Sequence, residues 1–436
     1  MTNNNNNLFS SHIIISVLFI TNKKNKCPDE DVVTLVVSLN KMFIWYKFRN
    51  GSGEFKLTIK GILRRLHEGE FKLARMFRAG YDKYIIDMVL NEYEKNQNTY
   101  LTTRLAPKTS EQVYYKKLEV QNLPKFAVIL QGPLLLENDF TLETCKMYRK
   151  LFSDNVIIVS TWDDEDTETI KKIKNLKIIV IQNKKPKFTG IGNINFQVIS
   201  TKAGLAEAEK AGVHYVLKTR TDQRFQKNNL YEYFVSLLKQ FPVDADGMNL
   251  PQDKRIIVLQ SPVGASLFIP FHISDFMFFG VLDDVFRLFE IDEQNVSENK
   301  KERTQRENDM ITTSTVMDFH SAEAPEIMFM KNYICNHGNI SEAEFYRVKT
   351  YWNFIKNYII AVSYDEVGFL WGKPGRYYSD NNLNHIYEVE DSEKRSYKYV
   401  LNFSNWLSIY SGILQYSISY EELAQMEMNY YLDKNN

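Results

Sequence analysis

The segment Val216-Leu217-Lys218-Thr219-Arg220-Thr221-Asp222-Gln223-Arg224 passes abruptly from apolar to charged residues and sets one aspartate between two arginines. An acid at the carboxyl end of a strand can hold a divalent metal, Mn²⁺ or Mg²⁺, on a diphosphate, while neighbouring cations offset phosphate charge. A solvated turn closed by a salt bridge is the plainer alternative. The choice depends on what delivers the segment, because open α/β sheets bind ligands in the crevice outside the carboxyl ends of their strands.

The elements before it alternate in type. A continuous apolar run at 126–130 ends in Gln131-Gly132-Pro133, and a second at 155–160 ends in Thr161-Trp162-Asp163. A third strand is expected at 176–181, and a fourth from His214 to Lys218. Helical patterns at 140–152, 167–174 and 196–211 separate them, the last stopped by Gly212. Buried strands alternating with helices make βαβ units, hence a parallel sheet covered on both faces. Three loops then converge on one sheet edge. Gly132 before Pro133 permits close backbone approach to a ligand and fixes the turn. Trp162 can stack on a flat base or sugar, or belong to the core. Asn195 and Gln197 sit at a helix start, where exposed N–H groups favour phosphate; capping that helix is the alternative for Asn195.

Further along, His272-Ile273-Ser274-Asp275 precedes an aromatic run ending at Gly280. Asp275 is placed to bond hydroxyls of a sugar held on that wall, unless the segment is a capped core helix. Glu326 falls in the first turn of a helix opened by Pro325, where it serves either the helix dipole or a general base's role. Trp371-Gly372-Lys373-Pro374 adds an indole and a cation on a late loop. The chain carries no Walker A sequence, HExxH, GxSxG or CxxC, and Gly190-Ile191-Gly192 is a lone GxG.

At 436 residues the chain exceeds one average domain. Its 54 basic and 54 acidic residues cancel, which argues against a nucleic-acid partner and leaves anion recognition to local charge. Cys27, Cys145 and Cys335 are too far apart for metal-ligand spacing or a disulfide framework, so a reducing, cytoplasmic setting is expected. The apolar stretch 8–20 contains Ser10, Ser11 and His12 and is too short to span a bilayer; a buried strand at 13–20 is expected instead. Residues 57–96 read as helical with a break near Gly80, and carry Arg64, Arg65, Lys72, Arg75 and Arg78. Those side chains suit either a solvated face or peripheral contact with an anionic membrane. Beyond 230 the pattern predicts helices at 230–241 and 283–289, a strand at 256–260 and a mobile loop at 292–309.

From about Phe126 to Lys373 the chain resembles the WavE-type lipopolysaccharide synthesis proteins. The resemblance rests on Ile129-Leu130-Gln131-Gly132-Pro133, Ser160-Thr161-Trp162, Asn193 to Gln197 with Ser200-Thr201, and Lys218 to Arg224. Ser274-Asp275 with Phe279-Gly280, and Pro325-Glu326, extend it. It implies a GT-A-like α/β fold, expected over 121–400. Residues 1–120 have no counterpart in the resemblance and read as a mostly helical region of open role, and 401–436 as a helical extension. The resemblance also implies glycosyl transfer from a nucleotide-sugar donor to a glycan or glycolipid acceptor. Carried over by position, Asp222 is the metal ligand. Gln131, Gly132, Pro133, Thr161, Trp162, Asn195, Gln197, Lys218, Arg220 and Arg224 are the residues expected to bind the donor, and Glu326 and Asp275 are the candidate bases. Arg220 departs from the family's DXD pattern, which leaves cations as the alternative neutraliser of the diphosphate. A sugar nucleotidyltransferase and a catalytically silent glycan-binding module are the rival readings.

Overall fold

The structure, a computed structural model, describes residues 106–113, 115, 123–244, 248–261, 266–299, 301–302, 324–372, 400–419 and 422. It also describes Met88, Asn91 and three strands within 16–49. The chain divides into two compact units, Met1–Thr103 and Arg104–Asn436.

In the first unit, β1 (Ser16–Thr21), β2 (Val32–Leu39) and β3 (Met42–Arg49) form an antiparallel sheet in that order. Ser16 lies opposite Ser38, and Leu39 opposite Met42. The first strand falls where the apolar stretch predicts one. The other two fall where no strand is expected, at 32–39 and 42–49, segments rich in β-branched and aromatic residues, which suit a pleated surface. The helical expectation for 57–96, with its basic residues, lies outside the described residues apart from Met88 and Asn91, both helical.

The second unit is built on a seven-stranded sheet. Its first half is β4 (Phe126–Gln131), α1 (Phe140–Leu151), β5 (Val156–Trp162), α2 (Thr167–Asn175) and β6 (Ile179–Asn183). There follow α3 (Ile194–Lys210), β7 (Tyr215–Arg220), β8 (Gln223–Phe225) and α4 (Leu230–Gln240). Then come β9 (Ile256–Leu259), β10 (Phe278–Val281), α5 (Leu282–Leu288), α6 (Pro325–His337) and α7 (Val348–Tyr358). The described chain closes with β11 (Ile359–Val362), β12 (Phe369–Trp371) and α8 (Phe403–Tyr410).

The strand order is β11-β9-β10-β7-β4-β5-β6, with β10 antiparallel to both its neighbours. The other pairs are parallel, and β8 pairs with β12 in a separate ribbon. The α/β expectation therefore stands. The run at 276–279, expected as an aromatic wall or a helix, instead feeds β10, whose Phe278 and Phe279 point to opposite faces and are buried.

Two close approaches set the layers. Gly204 lets α3 lie directly on β4, since a Cβ there would come within 2.4 Å of Ile129 Cγ2. On the other face Phe126 stacks on Tyr231 of α4 with centroids 4.0 Å apart. The order runs β4-β5-β6 in one direction and then returns through α3 to place β7 on the other side of β4. Such a reversal opens a crevice at the carboxyl ends of the two strands flanking it. Here those ends are Gln131 and Arg220, which are register partners. At the far edge Trp406 of α8 is fully buried and donates to the carbonyls of Ile355 and Ile359 at 3.1 and 2.8 Å. Phe403–Tyr410, at the start of the expected C-terminal extension, thus lies within the unit Arg104–Asn436. Among the described residues no helix is long and apolar enough to cross a membrane.

Candidate functional site

Register decides what faces the crevice. Ser160, Gln131 and Arg220 form one row across β5, β4 and β7, and Ile129 pairs with Lys218 two residues earlier. Paired residues share a face, and Ile129 lies under Gly204 of α3. Lys218 and Arg220 therefore lie on the α3 face, and Thr219 and Thr221 on the other. Thr221 closes the turn there, its amide donating to Gln131 O at 3.1 Å and its hydroxyl to Pro133 O. Gly132 has φ +113, and a Cβ would press to 3.3 Å from Thr221 Oγ1, so the turn needs glycine.

Lys218 is 0% exposed, and its ammonium donates to the carbonyl of Asp275 at 2.6 Å. Burial presses its pKa down to about 8, against the pull of Asp275; Arg220 adds to the fall, and Glu326 and Asp222 oppose it. The Asp275 carbonyl and the charges of the three acids offset part of the cost of burying the ammonium.

Arg220 meets Asp222 edge to edge, Nε to Oδ1 at 3.0 Å and Nη2 to Oδ2 at 2.9 Å. Trp371 Nε1 donates to the same Oδ2 at 3.1 Å, and the Gly372 amide to Asp222 O at 2.7 Å. The β8–β12 ribbon, in which Trp371 opposes Gln223, brings that indole in. The Arg220 guanidinium carbon is 5.8 Å from both the Trp371 and Phe276 ring centroids. Those centroids are 4.8 Å apart, so the two rings form a corner backing one side of the cation. Burial disfavours the Arg220 charge, but Asp222, Asp275 and Glu326 outweigh it and hold its pKa above the usual arginine value.

Asp275 and Glu326, the two sequence-level candidates for a base, both act on this pair of cations. Asp275 is 3% exposed, whereas Glu326 is half-buried in the first turn of α6, after Pro325 at the helix start. His272, also buried, is held down at about 4 by desolvation and is neutral at pH 7. Two cations and three carboxylates thus share one neighbourhood at the switch point. Such a group can receive a diphosphate and accept a proton beside it.

Several of the other expected donor-binding residues are engaged within the protein. Trp162 is buried edge-on to Phe196, 5.0 Å between centroids, as a core residue. Thr161 is buried on the face opposite Ser160. Asn195 uses both ends of its amide as a staple. Nδ2 donates to Phe188 O and Gln294 O at 2.9 and 2.8 Å, and Oδ1 accepts from Gln294 N at 2.9 Å. Nearby, the Ile191 and Gly192 amides donate to Gln294 Oε1 and Glu298 Oε2. Residues 294–298, expected as part of a mobile loop, are thereby fastened to the start of α3. Arg224 is buried, its guanidinium bonded to Thr144 Oγ1 and to the carbonyls of Pro107, Lys108 and Phe140, over the Phe140 ring at 4.4 Å. Gln131 Oε1 accepts from Ser200 at 2.8 Å. Gln197 keeps a buried amide oxygen with no hydrogen-bond partner among the described residues. Lys373 lies outside the described residues.

Trp371 is the contact that spacing could not assign, since it meets Asp222 across 149 positions of sequence. Nor does the donor set fit a preformed divalent-metal site. The Asp222 carboxylate already accepts three protein N–H groups. Among the described residues no group of three His, Cys, Asp or Glu side chains is arranged to hold an ion.

Several solved structures share low-level likeness. A mannose-1-phosphate geranyltransferase from Thermus thermophilus is 11% identical, covering 55% of this chain and 74% of its own, with a TM-score of 0.28. A cytidylyltransferase from Leptospira borgpetersenii is 14% identical over 50% of this chain and 99% of its own, at 0.25. A core-mannan synthase from Aspergillus fumigatus, in a Mn/GDP form, is 10% identical over 66% and 89%, at 0.27. At these TM-scores none of them bears on the chemistry. No curated protein matches the chain in sequence. Residues 126–435, well over half of the sequence, match the profile for WavE lipopolysaccharide synthesis, and the chain belongs to that family.

Proposed function

We propose that the protein is a glycosyltransferase that moves a sugar from a nucleoside-diphosphate sugar to a hydroxyl of a glycan or glycolipid. One observation carries the reading: Asp222, Asp275 and Glu326 all act on the Lys218 and Arg220 cations at the sheet's switch point, where Arg220 pairs with Asp222. Membership of a lipopolysaccharide-synthesis family supports the acceptor class.

In the reaction the bond from the anomeric carbon to the diphosphate breaks as the acceptor oxygen bonds to that carbon. Lys218 and Arg220 stabilise the charge that grows on the departing diphosphate. Glu326 is assigned as the base that takes the acceptor's proton, because it is half-buried and can meet an incoming hydroxyl. Asp275, almost wholly buried, accepts the Lys218 ammonium at its carbonyl and favours the charged form against the effect of burial. Attack from the opposite face inverts the anomeric configuration. Peripheral contact with the cytoplasmic face of a membrane, where a glycolipid acceptor would lie, is part of the same proposal.

The test is product analysis with a panel of nucleotide sugars and a lipopolysaccharide-core acceptor. Release of a nucleoside diphosphate together with a glycosylated acceptor is the expected result. Release of pyrophosphate from a nucleoside triphosphate and a sugar phosphate would assign nucleotidyl transfer instead. Donor binding without transfer or hydrolysis would leave a silent binding module.

A further inference from the structure

The Arg220–Asp222 pair has a geometry that reassigns both residues. Asp222 sits where a DXD-type site would offer a metal ligand, yet Arg220 holds one edge of its carboxylate, and Trp371 adds a third hydrogen bond. A carboxylate has about four acceptor positions. A divalent ion on Asp222 would have to displace the guanidinium or sit against it, cation beside cation.

Arg220 is engaged differently. A guanidinium is a rigid planar fork with five N–H groups. Asp222 takes only the Nε/Nη2 edge, and the Phe276–Trp371 corner backs the plane. The Nη1/Nη2 edge makes no hydrogen bond to any described residue, and the side chain remains 23% exposed. That second edge matches two oxygens of a phosphate. Lys218, on the same face of β7, adds a second cation behind it.

We propose that Arg220, aligned by Asp222 and Trp371, binds the nucleotide's diphosphate directly through its Nη1/Nη2 edge and fills the role that a metal ion has in a DXD site. Asp222 is then a positioning residue. The inference rests on the nucleotide-sugar reading above and states how that donor is held.

Calorimetric titration of UDP, GDP, CDP, ADP and dTDP, with the matching monophosphates as controls, tests it in EDTA and in Mn²⁺. The expected result is a diphosphate whose affinity is the same in both buffers. Arg220→Lys, which keeps the charge and loses the fork, is expected to weaken that binding roughly ten- to hundred-fold. Its monophosphate affinity and melting temperature should stay near those of the parent. Trp371→Phe, which keeps the ring and removes the N–H, is expected to weaken diphosphate binding several-fold in EDTA, at unchanged melting temperature. Binding abolished by EDTA and restored by Mn²⁺ would overturn the inference and leave the donor reading intact. So would an Arg220→Lys protein that binds like the parent. If no nucleoside diphosphate binds the folded protein in either buffer, the nucleotide-sugar reading fails and this inference with it.

Discussion

The turn after β7 and the entrance to α3 both look like phosphate sites in sequence, and the fold treats them oppositely. At the α3 entrance the Ile191 and Gly192 amides and the Asn195 side chain are bonded to Gln294 and Glu298, so the helix start is closed by the chain's own acceptors. At the β7 turn one edge of Arg220 is tied to Asp222 and the other makes no hydrogen bond to any described residue. The lesson is that donors make an anion site only where the fold does not satisfy them first, since a buried polar group takes whatever partner it can reach. The same contrast separates Arg220 from Arg224, whose guanidinium is bonded to Thr144 and to three backbone carbonyls.

Glu326→Gln should lower kcat by about 10²–10⁴-fold, the usual range for a general base, with donor affinity retained. A variant with parental turnover would remove Glu326 from the reaction. Next in size, Arg224→Met should destabilise the fold by roughly 3 kcal/mol or more, because it strands several buried oxygen acceptors. Denaturant unfolding measures this, and nucleotide affinity of the folded fraction should be unaltered. If Arg224→Met stays stable but loses nucleotide, Arg224 binds the donor alongside Arg220 and is not a structural residue. Asn195→Ala should cost about 1–3 kcal/mol for its lost staple, again with nucleotide affinity preserved. Weakened binding without lost stability would return the α3 entrance to the donor site.

The smallest effect is on pH dependence, and it sets His272 near the site against Asp284 far from it. Burial lowers His272 to about 4, so the unfolded chain binds more protons between pH 4 and 6.5, and its contribution to stability rises with pH across that window. Burial raises Asp284 to about 6, despite amide bonds from Asp253 and Lys254, so there the folded state holds more protons. Its contribution falls as pH rises from about 4 to 6. Removing it with Asp284→Asn should make stability climb more steeply with pH there than in the parent, by at most about 1 kcal/mol per pH unit. Parallel curves for the two proteins would contradict the raised value at Asp284.

Much of the second unit's fold is legible in one dimension, because fully buried parallel strands must be continuous apolar runs and the helices between them must be periodic. The runs at 126–130, 155–160 and 214–218 became β4, β5 and β7 for that reason, and the charged break after Leu217 marked the sheet's carboxyl edge. Less was legible beyond 230 and in the first unit. Antiparallel strands such as β2, β3 and β10 depend on partners that local pattern does not name.

The candidate site divides in the same way. Residue types near the strand ends are a local property, so Lys218, Arg220, Asp222, Asp275 and Glu326 could be singled out from their neighbours in sequence. Their states of engagement are not local. Whether Asp222 meets a metal or a guanidinium, whether Asn195 staples a loop, and whether Trp371 closes on Asp222 depend on contacts between segments far apart in the chain. Hydrogen bonds of that kind exist only once the sheet register and the β8–β12 ribbon have brought their donors and acceptors within 3 Å or so, and only the tertiary structure settles those two things.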